Sequence, residues 1–269
     1  MQLARPIAAS AFVMIALCGI ARADSSAWSE DMKSGIRLIG GETARAPMQA
    51  GVEMKIAPGW HTYWRYPGDS GVPPEFDFAG SENLKSATVL YPAPKLHKDA
   101  GGETIGYDAD VIFPIDVTPK DASKPVKLKL SMDYAVCENM CVPAKGEAEL
   151  LLKPGNPAAN TALIDARARV PKRESAQAVD LHVKREGADQ VVVDFAATAD
   201  APVTVLAEGP TKDWALPIPQ PVKNAPAGRR AFSFKLDGLP PGTDPKKPAD
   251  LTFTIVQGAR AFEVTARLD

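Results

Sequence analysis

Val126-Lys127-Leu128-Lys129-Leu130-Ser131-Met132-Asp133-Tyr134-Ala135-Val136-Cys137-Glu138-Asn139-Met140-Cys141-Val142-Pro143 decides the fold. From Val126 to Tyr134 every second residue is apolar, and Lys127, Lys129, Ser131 and Asp133 fill the places between. Side chains on a strand alternate between faces, so period two predicts a strand with one buried and one wetted face. If that parity continues, Val136 points inward and Cys137 outward. Cys141 then falls in a turn, and Pro143, Lys145 and Gly146 lead into a returning strand at Ala148-Leu150-Leu152. The two cysteines are expected at the tip of a surface hairpin, where an i, i+4 pair can reach the Cα separation of roughly 4.4–6.8 Å that a disulfide requires.

The same alternation runs outward from this hairpin. Met48, Ala50, Val52, Met54 and Ile56 show it, as do Val111, Phe113, Ile115 and Val117. It stops over residues 154–175, where Pro-Gly-Asn-Pro precedes a stretch, Ala162 to Val170, sufficient for a helical turn or two. It then returns in Val179-Leu181-Val183, Val191-Val193-Phe195, Phe232-Phe234-Leu236, Leu251-Phe253-Ile255 and Phe262-Val264-Ala266-Leu268. Many short alternating strands broken by 25 prolines and 20 glycines point to an all-β chain of antiparallel sandwiches. The expected organisation is residues 1–23 as an export signal, 24–153 as the first β domain, 154–175 as a linker and 176–269 as a second, smaller β domain.

The signal is read from Arg5, the apolar run Ile7 to Ile20, and the small alternating residues of Ala21-Arg22-Ala23, with cleavage expected after Ala23. The run is shorter than the roughly 20 apolar residues that span a bilayer. Leu17 stands before Cys18, where a lipoprotein signal requires a small side chain. Loss of Arg5 and Arg22 takes the 31 basic residues to 29 against 33 acidic ones, a net charge of −4. That balance gives no footprint for nucleic acid. Cys18 leaves with the signal, so the periplasmic chain keeps only Cys137 and Cys141, which in an oxidising compartment pair with each other unless a donor keeps them reduced.

Such a bond is either a staple or a reagent. Closing a ring of five residues stabilises a fold by about 2 kcal/mol on the chain-entropy estimate, against nearly 5 for a ring of about 100. A small ring across a tight turn also favours lability. Redox exchange is therefore the leading reading, and a structural disulfide in a binding module for copper or a partner protein is the alternative. Cys137, Met140, Cys141 and Met132 offer soft sulfur donors suited to Cu(I). Met132 has the parity of a core residue, however, and no metal site or cofactor is assigned. Trp60-His61-Thr62-Tyr63-Trp64-Arg65-Tyr66 is a dense aromatic cluster suited to core or docking roles. Gly68-Asp69-Ser70-Gly71 after it matches a serine-protease nucleophile motif, but it lies near the start of the chain with only His61 upstream, nine residues away, and is rejected.

Gly59 to Gly71, Tyr91-Pro92-Ala93-Pro94, and Tyr134 to Pro143 together resemble the N-terminal periplasmic domain of the thiol:disulfide interchange protein DsbD, with a closer likeness to the ScsB-type proteins linked to copper tolerance. The resemblance covers residues 28–153. It implies an immunoglobulin-like β-sandwich followed here by a second smaller β-sandwich, with Cys137 and Cys141 as the exchanging pair. By the same resemblance Tyr63, Trp64, Asp69 and Tyr134 are candidates for a cover over the pair or a partner-docking surface. The implied donor is a membrane electron-transfer protein or a thioredoxin-like domain. The implied acceptors are oxidised periplasmic proteins, met by a monomer acting as a component of a protein-disulfide reductase. The best-known members place five residues between their cysteines; here there are three.

Overall fold

The computed structural model describes residues 24–269, apart from 69, 100–101, 188, 197–200, 224 and 226. The expected signal over 1–23 and the candidate Asp69 lie outside the described residues. No helix among the described residues is long and apolar enough to cross a membrane.

The first part of the chain forms eleven strands: β1 (Ser29–Glu30), β2 (Ser34–Gly40), β3 (Met48–Ile56), β4 (His61–Gly68), β5 (Glu75–Asp77), β6 (Leu84–Val89), β7 (Lys95–Asp99), β8 (Gly102–Tyr107), β9 (Val111–Pro119), β10 (Val126–Cys137) and β11 (Cys141–Leu152). One sheet runs in the order β1-β2-β3-β9-β6. The facing sheet runs β11-β10-β4-β8-β7, with β5 also paired to β10. The alternation read from the sequence fills the space between them. Val126, Leu128, Leu130, Met132, Tyr134 and Val136 of β10 pack with Ala50, Val52 and Met54 of β3 and Phe113, Ile115 and Val117 of β9. Burying side chains of this size stabilises the fold by roughly 1.5–3 kcal/mol each, which holds the two sheets face to face.

Helix α1 (Thr161–Ala168) follows and is capped by Asn160, whose side chain accepts from the Leu163 amide. The segment read as a linker is thus packed. Leu163 and Ala166 are buried with Ile39 and Ile112 on the outer face of the first sheet. Leu163 fits because Gly51 lies beneath it; a Cβ there would come within 2.9 Å of Leu163 Cδ1.

The rest of the chain forms β12 (Lys172–Arg173), β13 (His182–Glu186), β14 (Gln190–Ala196), β15 (Val203–Glu208), β16 (Gln220–Pro221), β17 (Arg229–Lys235), β18 (Ala249–Gln257) and β19 (Arg260–Leu268). They make two four-stranded sheets, β12-β19-β18-β15 and β13-β14-β17-β16. Their core holds Val191, Val193, Phe195, Phe232 and Phe234 against Leu251, Phe253, Ile255, Phe262 and Val264. The molecule is an all-β chain in which an immunoglobulin-like sandwich precedes a smaller one.

Candidate functional site

The site is built at the far end of the β10–β11 hairpin. These strands are in register along their whole length, from Val126 opposite Leu152 to Cys137 opposite Cys141. The last register pair is therefore the cysteine pair, and its sulfurs are bonded at 2.08 Å. Glu138, Asn139 and Met140 form the connecting tip, all exposed, with Met140 74% exposed.

The other long edge of β10 decides what covers the bond. β5 occupies it opposite Ser131 to Asp133. β4 then takes over, pairing Thr62 with Val136 and His61 with Cys137. Thr62 fixes this junction by donating its hydroxyl to the Ala135 carbonyl at 2.9 Å. Period two along β4 sends His61, Tyr63 and Arg65 to the outer face and Trp64 inward. Tyr63 consequently lies over Ala135 and Cys137, and the three are buried together. Its hydroxyl is 2.8 Å from Cys137 Sγ and 3.1 Å from Cys141 Sγ. With the sulfurs joined neither carries a proton, so the phenol is the donor to both.

Parity is thus met for Cys137, which points away from the core, but its expected place on the surface is corrected: it is 2% exposed beneath Tyr63. Cys141 is exposed. Of the other expected cover residues, Trp64 is fully buried in the first core and Tyr134 is 2% exposed there. The Tyr134 hydroxyl is 2.9 Å from Ser34 Oγ, inside the sandwich. Burial raises the Tyr134 hydroxyl above its usual range, with Ser34 opposing. Both residues belong to the opposite face of the sheet from the disulfide, a placement that alternation along β4 and β10 already implies. Met132 is likewise buried in the core, away from the other sulfurs. No group of three or more His, Cys, Asp or Glu among the described residues is arranged to hold a metal ion.

Two features of the site had no local signal in the sequence. Gly71 lies against the outer face of Tyr63: a Cβ there would stand 2.8 Å from Tyr63 Cζ and closer still to Cδ1 and Cε1. Arg65, two residues beyond Tyr63, reaches out of the first sandwich to Glu208 and Glu263, 2.6 and 2.5 Å away.

A disulfide at the tip of this hairpin, under a tyrosine of the neighbouring strand, agrees with what comparison gives. Residues 41–153 match the family described as "Thiol:disulfide interchange protein DsbD, N-terminal". They carry a DsbD N-terminal-like fold. The crystal structure of the N-terminal periplasmic domain of ScsB from Proteus mirabilis superposes on 91% of this chain and 98% of its own with a TM-score of 0.69. At 20% identity that likeness establishes the fold, over both sandwiches. A conserved domain protein from Bacillus anthracis, 8% identical over 86% of this chain and 78% of its own, reaches a TM-score of only 0.25, and nothing is built on it. No curated protein matches the sequence. In the DsbD N-terminal-like region the disulfide closes the last turn of the sandwich, with one cysteine buried and one exposed.

Proposed function

We propose that this chain is an exported periplasmic thiol–disulfide exchange protein that relays electrons through Cys137 and Cys141 from a membrane or thioredoxin-like donor to oxidised periplasmic proteins. The observation that carries this reading is the unequal exposure of the two cysteines within a DsbD N-terminal-like fold. A partner thiolate must approach a sulfur in line with the S–S bond, and only Cys141 is open to that approach. The exposed Glu138-Asn139-Met140 tip is the surface that the partner meets first.

Loading with electrons then proceeds in two displacements. A donor thiolate attacks Cys141 Sγ, the S–S bond breaks, and Cys137 departs with the electron pair and takes a proton. The donor's second thiolate attacks the donor sulfur of the mixed disulfide and releases Cys141 as a thiolate. The donor leaves oxidised, and this chain keeps two electrons, with a proton on Cys137 and Cys141 left as the thiolate. Discharge is the reverse, with the Cys141 thiolate attacking an acceptor disulfide and Cys137 resolving the mixed disulfide. Tyr63 supports the departing Cys137 through the hydrogen bond that it already donates.

The same reading divides the chain at residues 154–175, with the exchange domain before and a second domain after. Tyr63 alone of the aromatic candidates serves as the cover. The test is the equilibrium reduction potential of the Cys137–Cys141 bond in a thiol redox buffer. A value well above about −300 mV is expected for an exchanging pair. A lower value, with unfolding on reduction, would make the bond a structural clasp and the chain a binding module.

A further inference from the structure

The exchange steps leave unused two imidazoles, one opposite the buried cysteine and one stacked on the first. His61 is the register partner of Cys137 across β4 and β10, so its side chain rises from the same face of the sheet as the thiol. Its ring lies edge-on to Tyr63, centroids 5.5 Å apart, and Tyr63 in turn touches Cys137. His97 of β7 stacks on the His61 ring, also at 5.5 Å. His97 Nε2 is buried with no hydrogen-bond partner among the described residues, and so is Oγ1 of Thr104, its register partner on β8. An imidazole nitrogen without a partner gives the stack capacity to take up a proton.

The charges around the stack leave this task to the imidazoles. Glu138 lies near the start of β4, where a Cβ on Gly59 would stand 3.1 Å from its Oε1, and its negative charge disfavours a nearby thiolate. Lys95 is engaged by Asp108 and Lys98 by Glu103. Asp108 is held below the usual carboxylate range, first by its hydrogen bond from Lys95 and in smaller part by the charge of His97, so it faces the stack. Arg65 is taken by Glu208 and Glu263. Each of these three cations is thus already paired with a carboxylate.

We propose that His61 is the proton acceptor of Cys137, and that His97, stacked behind it, is the positioning residue that holds the ring toward the thiol. This rests on the exchange reading above. When a mixed disulfide joins Cys141 to an acceptor, the proton of Cys137 passes to His61, leaving a thiolate–imidazolium pair. The thiolate attacks Cys141 Sγ, the Cys137–Cys141 bond forms, and the acceptor sulfur departs with the electron pair. His61 then releases its proton to that sulfur or to water. In the loading direction His61 returns the proton to Cys137 as it departs. A histidine beside a cysteine activates it in this way without any metal or cofactor.

The test uses the Cys141→Ser variant, which cannot form the disulfide, and follows the ultraviolet absorbance of the Cys137 thiolate against pH. Adding His61→Gln is expected to move that titration up by about one pH unit, a tenfold loss of thiolate at neutral pH. His97→Gln moves it in the same direction by less. An unchanged titration in His61→Gln would overturn the proposal. Where that variant fails to fold, the wild-type imidazoles are followed by NMR in the oxidised and reduced protein, with His182 in the second sandwich as internal reference. His61 is expected to hold its proton to higher pH once the thiols are free, and identical titration in the two states would also overturn it. The exchange reading fails separately, through a disulfide that thiol buffers do not reduce, because the Cys141→Ser titration needs no exchange.

Discussion

Gly71 shows how much of the site rests on one missing side chain. Its φ of +126° is backbone that residues with a Cβ rarely adopt, and the space where a Cβ would stand is occupied by the Tyr63 ring. A methyl group there must displace either the turn or the ring, and the ring is what shields Cys137. Gly71→Ala is therefore expected to lower stability by about 1–3 kcal/mol, the common range for a strained or overpacked position. It is also expected to speed reduction of the disulfide by dithiothreitol severalfold. Denaturant unfolding and the rate of thiol release measure the two effects, and destabilisation with an unchanged reduction rate would mean that Tyr63 is not the shield. The sequence offered part of this. Alternation gave the face of each residue, and applied strictly to His61 through Tyr66 it separates Tyr63 from Trp64. It could not give what lies on that face, because Gly71 meets Tyr63 by the path of a turn and not by any period.

At the scale of the hairpin, the bond is placed by elements that hold without it. β10 and β11 share an unbroken ladder, and the inward residues from Val126 to Val136 bind it to the first core. Thr62 and β4 then pin its tip from the other side. A ring of five residues adds at most about 2 kcal/mol by the chain-entropy estimate. The double variant Cys137→Ser, Cys141→Ser is accordingly expected to unfold no more than about 2 kcal/mol below the oxidised wild type, with the same denaturant m-value. A far larger loss, or a changed m-value, would show that the disulfide organises the hairpin. The ladder was legible because its residues are local and strictly alternating. Helix α1 was legible only as a turn or two, since its eight residues bury just Leu163 and Ala166. What fixes it is the small-residue surface at Gly41 and Gly51, more than a hundred positions earlier.

Across the whole molecule, the strand that covers the disulfide is also the strand that the second sandwich grips. Arg65 donates from Nε and Nη2 to the two oxygens of Glu208, and from Nη2 to Glu263. Tyr66 donates its hydroxyl to the Leu216 carbonyl, and Leu206 and Ile218 are buried with the first core. Burial works against the charge of Arg65, but the hydrogen bonds and charges of Glu208 and Glu263 outweigh it and hold the guanidinium above its ordinary range. Burial also pushes the nearby Tyr91 hydroxyl up to about 12, with Arg65 opposing. These partners stand 143 and 198 residues apart in sequence, and no pattern of composition or period connects them. Arg65→Ala leaves Glu208 without its cation and Glu263 with only the exposed Arg173, 3.6 Å away. Breaking a fully buried pair costs about 3–5 kcal/mol, and these side chains keep 15–28% of their exposure, so a loss of about 2–3 kcal/mol is expected. Arg65→Lys restores only part of it, because an ammonium cannot make the forked contact to Glu208. Thermal unfolding reads the stability, and small-angle scattering reads whether the two sandwiches separate. A compact, equally stable Arg65→Ala protein would mean that Leu206, Ile218 and Tyr66 hold the sandwiches together without the ion pairs.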